Sequence, residues 1–287
     1  MLWVLYSLLS AAAYATADAF TKKASSDIDD SILVLSRFFY GSLILFPMLF
    51  FVSIPEISSR FWIALAEIIP LEIAAWILYI KALRNSQLSL IAPILSFTPI
   101  FLVATSFILL GELPSLLGFF GIIIVVAGAY ILNLKSPGSG IFEPLKSMFR
   151  EKSSRYMLIV AFLFSITSTL SKVLVQESSP SFTSLSYLLS MSASFLLVSF
   201  FFSRKKILQL KTRFKDLLPI GLFYGIMTLF HNLAITLTIV PYMMSIKRTS
   251  SIFSVLYGHF WFKEKNMRNR FLGALIMLLG AVLVILS

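Results

Sequence analysis

The sequence predicts an all-α, polytopic membrane protein with ten transmembrane helices arranged as two inverted five-helix repeats. The first observation is composition: the 287 residues are 58% hydrophobic and 13% charged, whereas a soluble domain carries about 25% charged residues. The second is that hydrophobic residues are grouped in blocks near the ~20 residues that an α-helix needs to cross a bilayer. The third is that landmarks of the first half recur in the second.

Ten hydrophobic blocks predict ten spans, numbered in chain order. Their approximate bounds are 2–21, 31–53, 61–81, 86–110, 115–133, 156–176, 181–203, 216–236, 240–262 and 269–286. Strands of a membrane barrel have about 10 residues of alternating polarity, so these longer, uniformly apolar blocks exclude a barrel. The first block is followed by Lys22 and Lys23 and lacks a basic segment ahead of it, which indicates a retained span and not a cleaved signal peptide.

The two halves align at several landmarks. A shift of 152 residues places Glu112 on Glu264, Gly121 on Gly273 and Gly128 on Gly280, and a shift of 150 places Lys22 on Lys172. Because a repeat of five spans ends on the opposite side of the membrane from its start, the second half is predicted to be inverted. The predicted units are a first repeat at 1–133, a basic cytoplasmic linker at 134–155 and a second repeat at 156–287.

Lys and Arg residues orient the chain. They concentrate in the loops after spans 1, 3, 5, 7 and 9, whereas the loops on the other side contain only Arg60 and Lys172. The positive-inside rule places the first set in the cytoplasm and both termini outside. We expect a cytoplasmic membrane of the prokaryotic type. The net charge of +11 suits anionic lipid, and nucleic-acid binding is not expected, since the basic residues lie between hydrophobic blocks.

The linker has its own pattern. A helix-breaking segment at 136–140 precedes apolar residues at helical spacing, namely Ile141, Leu145, Met148 and Phe149. The pattern fits a short interfacial helix on an anionic leaflet, or equally a solvated basic loop.

Span 9 contains two adjacent cations, Lys247 and Arg248. An ionisable side chain at the centre of a span costs about 2.5–3.5 kcal/mol on insertion scales, so such residues usually have a function. On a continuous helix Lys247, Ser251 and Ser254 share a polar stripe. Arg supplies a planar fork and Lys a point charge, which together suit a phosphate, sulfate or carboxylate group. The alternative is that both cations pair with acidic residues of the bundle.

Span 3 supplies two such acidic residues, Glu67 and Glu72. They point about 140° apart on a helix, so only one can face a central cavity. We favour Glu72, which shares its face with Trp76 and Tyr79. Glu72 is either the carrier of a coupling proton or a fixed counter-ion. Arg37 in span 2 either lines the cavity or extends to the membrane interface.

Other spans complete the candidate site. Span 8 places Tyr224, Thr228 and His231 on one face, and span 1 carries Tyr14 on its polar face. Such residues either contact substrate or hold helices together. The predicted substrate-binding residues are Lys247, Arg248, Glu72, Tyr79, Tyr14, Tyr224, His231, Ser251 and Arg37.

Several functions are not expected. The chain has no Cys, and its two His residues are far apart and outside any HExxH arrangement, so we expect no metal site, cofactor or enzymatic activity. The interiors of spans 5 and 10 lack ionisable residues. Their glycines predict close helix contact and a scaffold role.

The ends of spans 4 and 9 carry a family resemblance. The run 109–112 ends in Glu112 before Gly121 and Gly128, and the run 262–264 ends in Glu264 before two further glycines. This repeated pattern resembles the EamA-type branch of the drug/metabolite transporter superfamily. The resemblance implies a basket of ten helices, with a cavity walled by spans 1–4 and 6–9. It also implies transport of small metabolites such as amino acids, sugars, nucleotide sugars or phosphorylated sugars.

The cation pair in span 9 is also similar to the Lys-Arg pair of the sugar-phosphate/phosphate translocator branch, although span 4 offers no lysine at 96–102. We therefore expect a secondary active transporter that moves a small polar metabolite by alternating access, with an anionic or zwitterionic substrate near Lys247 and Arg248. The alternatives are a proton-coupled exporter of neutral or cationic compounds, such as amino acids or drugs, centred on Glu72, and a lipid flippase. Expected partners are the metabolite and membrane lipids, and a homodimer is left open.

Overall fold

The structure is a computed structural model that describes residues 1–50, 56–85, 94–133, 142, 146, 150–261, 263 and 268–287. Within these residues every regular element is helical. The main helices are α1 (Leu2–Ala24), α2 (Asp30–Leu45), α3 (Ser59–Asn85), α4 (Thr98–Leu110), α5 (Leu116–Asn133), α6 (Lys152–Gln176), α7 (Pro180–Ser203), α8 (Phe214–Ile235), α9 (Val240–Lys247), α10 (Ser250–Phe260) and α11 (Arg268–Leu286). The predicted all-α architecture is confirmed.

The helices are long and apolar, as membrane spans must be. Among the described residues, five segments are long and apolar enough to cross a bilayer: Asp30–Met48, Ser59–Tyr79, Lys152–Gln176, Pro180–Lys206 and Phe214–Ile235. Shorter apolar helices cover Thr98–Leu110, Leu116–Leu132 and Arg270–Leu286. The count of ten spans stays a prediction. The first part of span 4, at 86–93, and almost all of the predicted interfacial helix at 141–149 lie outside the described residues.

The helices pair in a regular way. Helix α1 packs on α8 and α3 on α6, while α4 packs on α6 and α1 on α10. Helix α2 contacts α7, and α5 contacts α11. Exchanging spans 1–5 with spans 6–10 maps each of these contacts onto another contact of the set or onto itself. These contacts recur in the two halves, whereas the close packing of α2 on α8 has only a slight counterpart between α3 and α7. The inverted repeat stays a prediction.

Helices α5 and α11 cross at glycines. A Cβ atom on Gly128 would lie 2.8 Å from the carbonyl oxygen of Gly273, and one on Gly280 would lie 2.8 Å from that of Gly121. These distances are too short for a side chain, so the two backbones are in direct contact. The close contact predicted for spans 5 and 10 is present.

Loops from the two halves meet at the ends of the bundle. Asp29 and Asp27, between α1 and α2, form ion pairs with Lys206 (2.6 Å) and Arg213 (2.8 Å), between α7 and α8. Elsewhere Glu177, at the end of α6, accepts a hydrogen bond from Ser58 (2.6 Å) at the start of α3. The loops that meet in each case are ones that the basic-residue pattern assigns to the same side of the membrane.

Candidate functional site

A central cavity lies between α1, α3, α6, α7, α8 and α9 and has a volume of about 120 Å³. Pockets for drug-sized ligands usually have about 300–1,000 Å³, so this cavity suits a small ligand. Six of the predicted site residues line it: Tyr14, Glu72, Tyr224, His231, Lys247 and Arg248. Ser251, Arg37 and Tyr79 are not among its lining residues.

Lys247 and Arg248 lie at a point in span 9 where the backbone hydrogen bonds depart from the α-helical pattern. Helix α9 ends at Lys247 and α10 begins at Ser250. Between them the backbone N–H of Thr249 donates to the carbonyl of Ile246 (3.0 Å), and the backbone N–H of Ser251 donates to the carbonyl of Arg248 (3.0 Å). These bonds join residues three apart, as in a 3₁₀ turn, which advances about 120° per residue where an α-helix advances 100°.

This turn corrects the predicted polar stripe. The stripe of Lys247, Ser251 and Ser254 assumed a continuous α-helix. In the structure Ser250 lines the cavity, Ser251 lies outside its wall and Ser254 is exposed. The prediction was wrong because the tighter turn rotates the residues that follow it.

Lys247 has close neighbours but, among the described residues, no carboxylate in contact. Its Nζ atom lies 3.1 Å from Nδ1 of His231 and 3.2 Å from the sulfur of Met227. It also lies 5.7 Å from the ring centre of Tyr14. The Nε atom of Arg248 is buried and has no hydrogen-bond partner. Among the described residues, no ion pair joins either cation to an acidic residue, so the pairing alternative is not observed there.

Glu72 lies in the cavity wall and is 7% exposed. Its Oε1 atom accepts a hydrogen bond from Thr167 (2.7 Å), and its Oε2 atom accepts one from the indole of Trp76 (3.1 Å). Tyr187 also approaches this carboxylate. Glu67 is exposed on the outer side of the same helix, as the predicted 140° separation requires. Thr167 lies on α6, so the Glu72 carboxylate joins the two halves of the chain.

Arg37 has a different role from either one predicted for it. It is 5% exposed, and its Nη2 atom lies 2.6 Å from Asp18 and 2.9 Å from the hydroxyl of Thr21. It therefore neither lines the cavity nor extends to the surface. The Asp18 carboxylate on α1 holds it inside the bundle. Tyr79 packs edge-on against Trp76, with ring centres 5.5 Å apart, and is not among the lining residues.

A second polar cluster was not predicted as a unit. Lys172 forms an ion pair with Glu112 and donates to the carbonyl of Thr238 (2.7 Å). The other oxygen of Glu112 accepts from Ser106 (2.7 Å) and from the backbone N–H of Val240 (3.0 Å). Glu112 thus satisfies an amide in the first turn of α9, where such groups lack intrahelical partners. The cluster ties the ends of α4 and α6 to the start of α9. The sequence marked Glu112 and Lys172 only as separate landmarks of the repeat.

Further lining residues were also missed. Thr167, Tyr187 and Asn232 line the cavity, and Asn232 accepts from Ser171 (3.0 Å) while donating to Ser184 (2.9 Å). Single Ser, Thr and Asn residues occur throughout membrane helices as packing contacts. Their position on the cavity wall therefore left no distinct signal in the sequence. No cluster of potential metal ligands occurs in the described part of the chain.

Comparisons with known proteins agree with this architecture. A solved structure titled "Crystal structure of protein" superposes with a TM-score of 0.79 at 14% identity, over 99% of this chain and 96% of that chain. At that identity the likeness concerns the fold alone. A search of curated proteins returned no match. The model of the EamA-like transporter family matches residues 1–134 and 154–286. This multi-pass integral membrane protein therefore belongs to the EamA-like transporter family, within the drug/metabolite transporter superfamily, whose members carry small molecules across membranes.

Proposed function

We propose that the protein is a secondary active transporter for a small anionic or zwitterionic metabolite, with the anionic group of the substrate held by Lys247 and Arg248. One observation carries the proposal: in the described part of the chain, both cations line the cavity without an acidic partner in contact, and Nε of Arg248 has no hydrogen-bond partner there. A buried charge without a partner is costly inside a membrane protein. A bound anion supplies the partner that the described residues do not.

The rest of the cavity supports a substrate that also carries a donor group. Glu72 lies in the same wall, and a carboxylate has about four acceptor positions, of which Thr167 and Trp76 use two and Tyr187 approaches a third. Its remaining positions are suited to the ammonium group of a zwitterion or the hydroxyls of a sugar. The small volume of about 120 Å³ favours a compact metabolite over a drug-sized compound.

Alternating access follows from the repeat. The family match falls on two segments, 1–134 and 154–286, and most of the large helix contacts have a counterpart when the halves are exchanged, although α2 on α8 is more extensive than α3 on α7. Transporters built from inverted repeats hold substrate between the halves and expose it to one side at a time as the halves move. We place the boundaries of the halves at 1–133 and 156–287, joined by the basic linker at 134–155.

The test is a thermal-shift screen of purified protein against sugar phosphates, amino acids, nucleotide sugars and inorganic anions, followed by flux measurements in liposomes. A ligand that binds the folded state raises its unfolding temperature. We expect the stabilising ligand to lose its effect on Lys247→Ala and on Arg248→Ala. Lys205→Ala, which removes an exposed cation, is the matched control and should respond like the wild type. Stabilisation that persists in both cavity variants would contradict the proposal.

A second candidate is a proton-coupled exporter of cationic compounds, favoured by the setting of Glu72. This carboxylate lies in a wall that also contains Trp76, Tyr187 and Tyr224, and aromatic faces attract cations. The candidate predicts that Glu72→Gln abolishes binding of a cationic ligand while Lys247→Ala retains it. The opposite result, with binding lost only on removal of Lys247, supports the anion carrier.

A further inference from the structure

Lys247 and His231 form a pair of nitrogen bases inside the cavity, with 3.1 Å between Nζ and Nδ1. His231 lies on α8 and is 9% exposed, while Lys247 ends α9. A hydrogen bond between two nitrogens needs one donor and one acceptor. Only one hydrogen therefore lies between Nζ of Lys247 and Nδ1 of His231. The 3.1 Å separation fits a lysine ammonium that donates to Nδ1 of a neutral imidazole, with the ring proton on Nε2.

Few titratable or charged groups face this pair. In the described part of the chain they are Tyr14 and Asp18 on α1, Glu72 on α3 and Arg248 directly after α9. Both carboxylates are engaged elsewhere, Glu72 by Thr167 and Trp76 and Asp18 by Arg37. The pair therefore carries its positive charge beside a second cation without a counter-ion in contact.

This arrangement links the charge of the pair to the charge of a ligand. A second proton on an empty cavity would place three positive groups close together, which is strongly unfavourable in a poorly hydrated site. An anion bound to Lys247 and Arg248 offsets that repulsion. Protonation and anion binding then favour each other by the same factor, as reciprocal linkage requires.

We propose that the Lys247–His231 pair takes up one proton when an anion binds and releases it when the anion leaves, so that each anion travels with a proton. Nδ1 of His231 forms an N–H bond with a proton delivered by water, and its hydrogen bond from Lys247 breaks. The freed ammonium of Lys247 then contacts the anion. On release of the anion the imidazolium returns its proton to water, and Nδ1 accepts from Lys247 again. The inference rests on the proposed function, since it requires an anion at Lys247 and Arg248.

The experiment uses sulfate and methanesulfonate, which do not titrate between pH 6 and pH 8 and so contribute no protons themselves. Proton uptake is measured with a pH dye in weakly buffered, detergent-purified protein as each anion is added. We expect about one proton per bound anion at pH 7. With one linked proton, apparent affinity falls by up to about tenfold per pH unit as pH rises. His231→Gln keeps an acceptor for Lys247 but cannot titrate, so it should bind the anion with no proton uptake and little pH dependence.

The second histidine provides the control. His259 is exposed near the end of α10, and His259→Gln should take up protons like the wild type. His231→Asn serves in place of His231→Gln if that variant does not fold. Anion binding to the wild type without proton uptake, or an unchanged pH dependence in the His231 variant, overturns the inference but leaves the anion carrier standing. Absence of any anion binding that depends on Lys247 overturns both.

Discussion

At the scale of single residues, the two acidic side chains of α3 have contrasting surroundings. Glu72 is 7% exposed and accepts hydrogen bonds on both oxygens, whereas Glu67 is exposed on the outer side of the bundle. The same residue type thus occurs on one helix in a buried and in an exposed position. The same substitution at positions 72 and 67 therefore compares the effect of a change in the cavity wall with that of a change on the outer surface.

We predict that Glu72→Gln destabilises the protein while Glu67→Gln does not. The amide at position 72 has a single acceptor oxygen, so one of the two hydrogen bonds from Thr167 and Trp76 must be lost or reversed, and a hydrogen bond contributes about 0.5–1.5 kcal/mol. An exposed substitution is usually within about 0.5 kcal/mol. Thermal unfolding of both variants in the same detergent checks this. Equal losses of stability would mean that the Glu72 hydrogen bonds do not matter.

The surroundings of Asp29, in the loop before α2, predict that its contribution to the stability of the folded protein depends on pH. Partial burial raises the pKa of its carboxyl, but hydrogen bonds from Lys206 and Ser31 outweigh burial and lower the pKa from its ordinary value of 3.8. A carboxyl whose pKa is lower in the folded state stabilises that state above the unfolded pKa. The contribution is lost as pH falls through the folded value.

We therefore expect wild-type protein to unfold at a higher temperature than Asp29→Asn near pH 7. The difference should shrink as pH falls below about 4, where the unfolded carboxyl is protonated. Thermal unfolding measured from pH 7 to pH 3 checks this. Lys206→Ala removes the ion-pair partner, so Asp29→Asn should have a smaller effect in that background. A difference that is constant with pH would show that Asp29 acts only through packing.

At the scale of helices, the hydrophobic pattern of the sequence does not predict two features of the structure. One is the 3₁₀ turn between α9 and α10, directly at Lys247 and Arg248. Such turns within a helix often mark hinges, and this one lies in a helix pair that contacts α1 of the other half. The other feature is the Lys172–Glu112 cluster at the start of α9.

We predict that Glu112→Gln is strongly destabilising. The side chains of Lys172 and Glu112 are 9% and 13% exposed, and removing one partner of a buried ion pair costs about 3–5 kcal/mol. Glu177→Gln is the matched control, because its ion-pair partner Arg60 is 64% exposed at 3.5 Å, surface pairs contribute about 0–1 kcal/mol, and an amide oxygen can still accept the hydrogen bond from Ser58. Comparable unfolding temperatures for the two variants would contradict the assignment of the cluster as a structural tie.

The contact between α5 and α11 gives a further prediction at this scale. In Gly128→Leu the first side-chain carbon would lie 2.5 Å from the backbone nitrogen of Met277, so the helices must separate. Overpacking of this kind costs about 1–3 kcal/mol. Ala127 is exposed on the same helix, and Ala127→Leu should be tolerated. Thermal unfolding distinguishes the two, and equal tolerance would mean that the contact is not rigid.

At the scale of the whole molecule, orientation is open to a direct test because the chain contains no cysteine. Single cysteines at exposed positions of opposite loops, Ser26→Cys and Thr236→Cys, serve as reporters. The positive-inside rule predicts that a membrane-impermeant maleimide labels only Thr236→Cys in intact cells. Ser26→Cys should react after the cells are made permeable. The reverse pattern would place both termini in the cytoplasm.

Sequence patterns alone were enough to predict the helical membrane architecture and several residues of the cavity wall. Span length and hydrophobicity are local properties, and α1, α3, α5, α6, α7 and α8 begin and end within a few residues of the predicted bounds. Cations and acids inside apolar segments are conspicuous because lipid makes them costly. Lys247, Arg248 and Glu72 were identified on that ground, and all three line the cavity.

The contacts between these charges follow from the three-dimensional packing of the helices and could not be predicted from the sequence. Arg37 is held by Asp18, Lys172 is held by Glu112, and Lys247 instead contacts His231. Such pairings depend on distances between helices, and residues far apart in the chain leave no local pattern that records them. The turn at Arg248, which brings Ser250 and not Ser251 to the cavity, likewise depends on packing around the helix, because its sequence is compatible with a continuous helix.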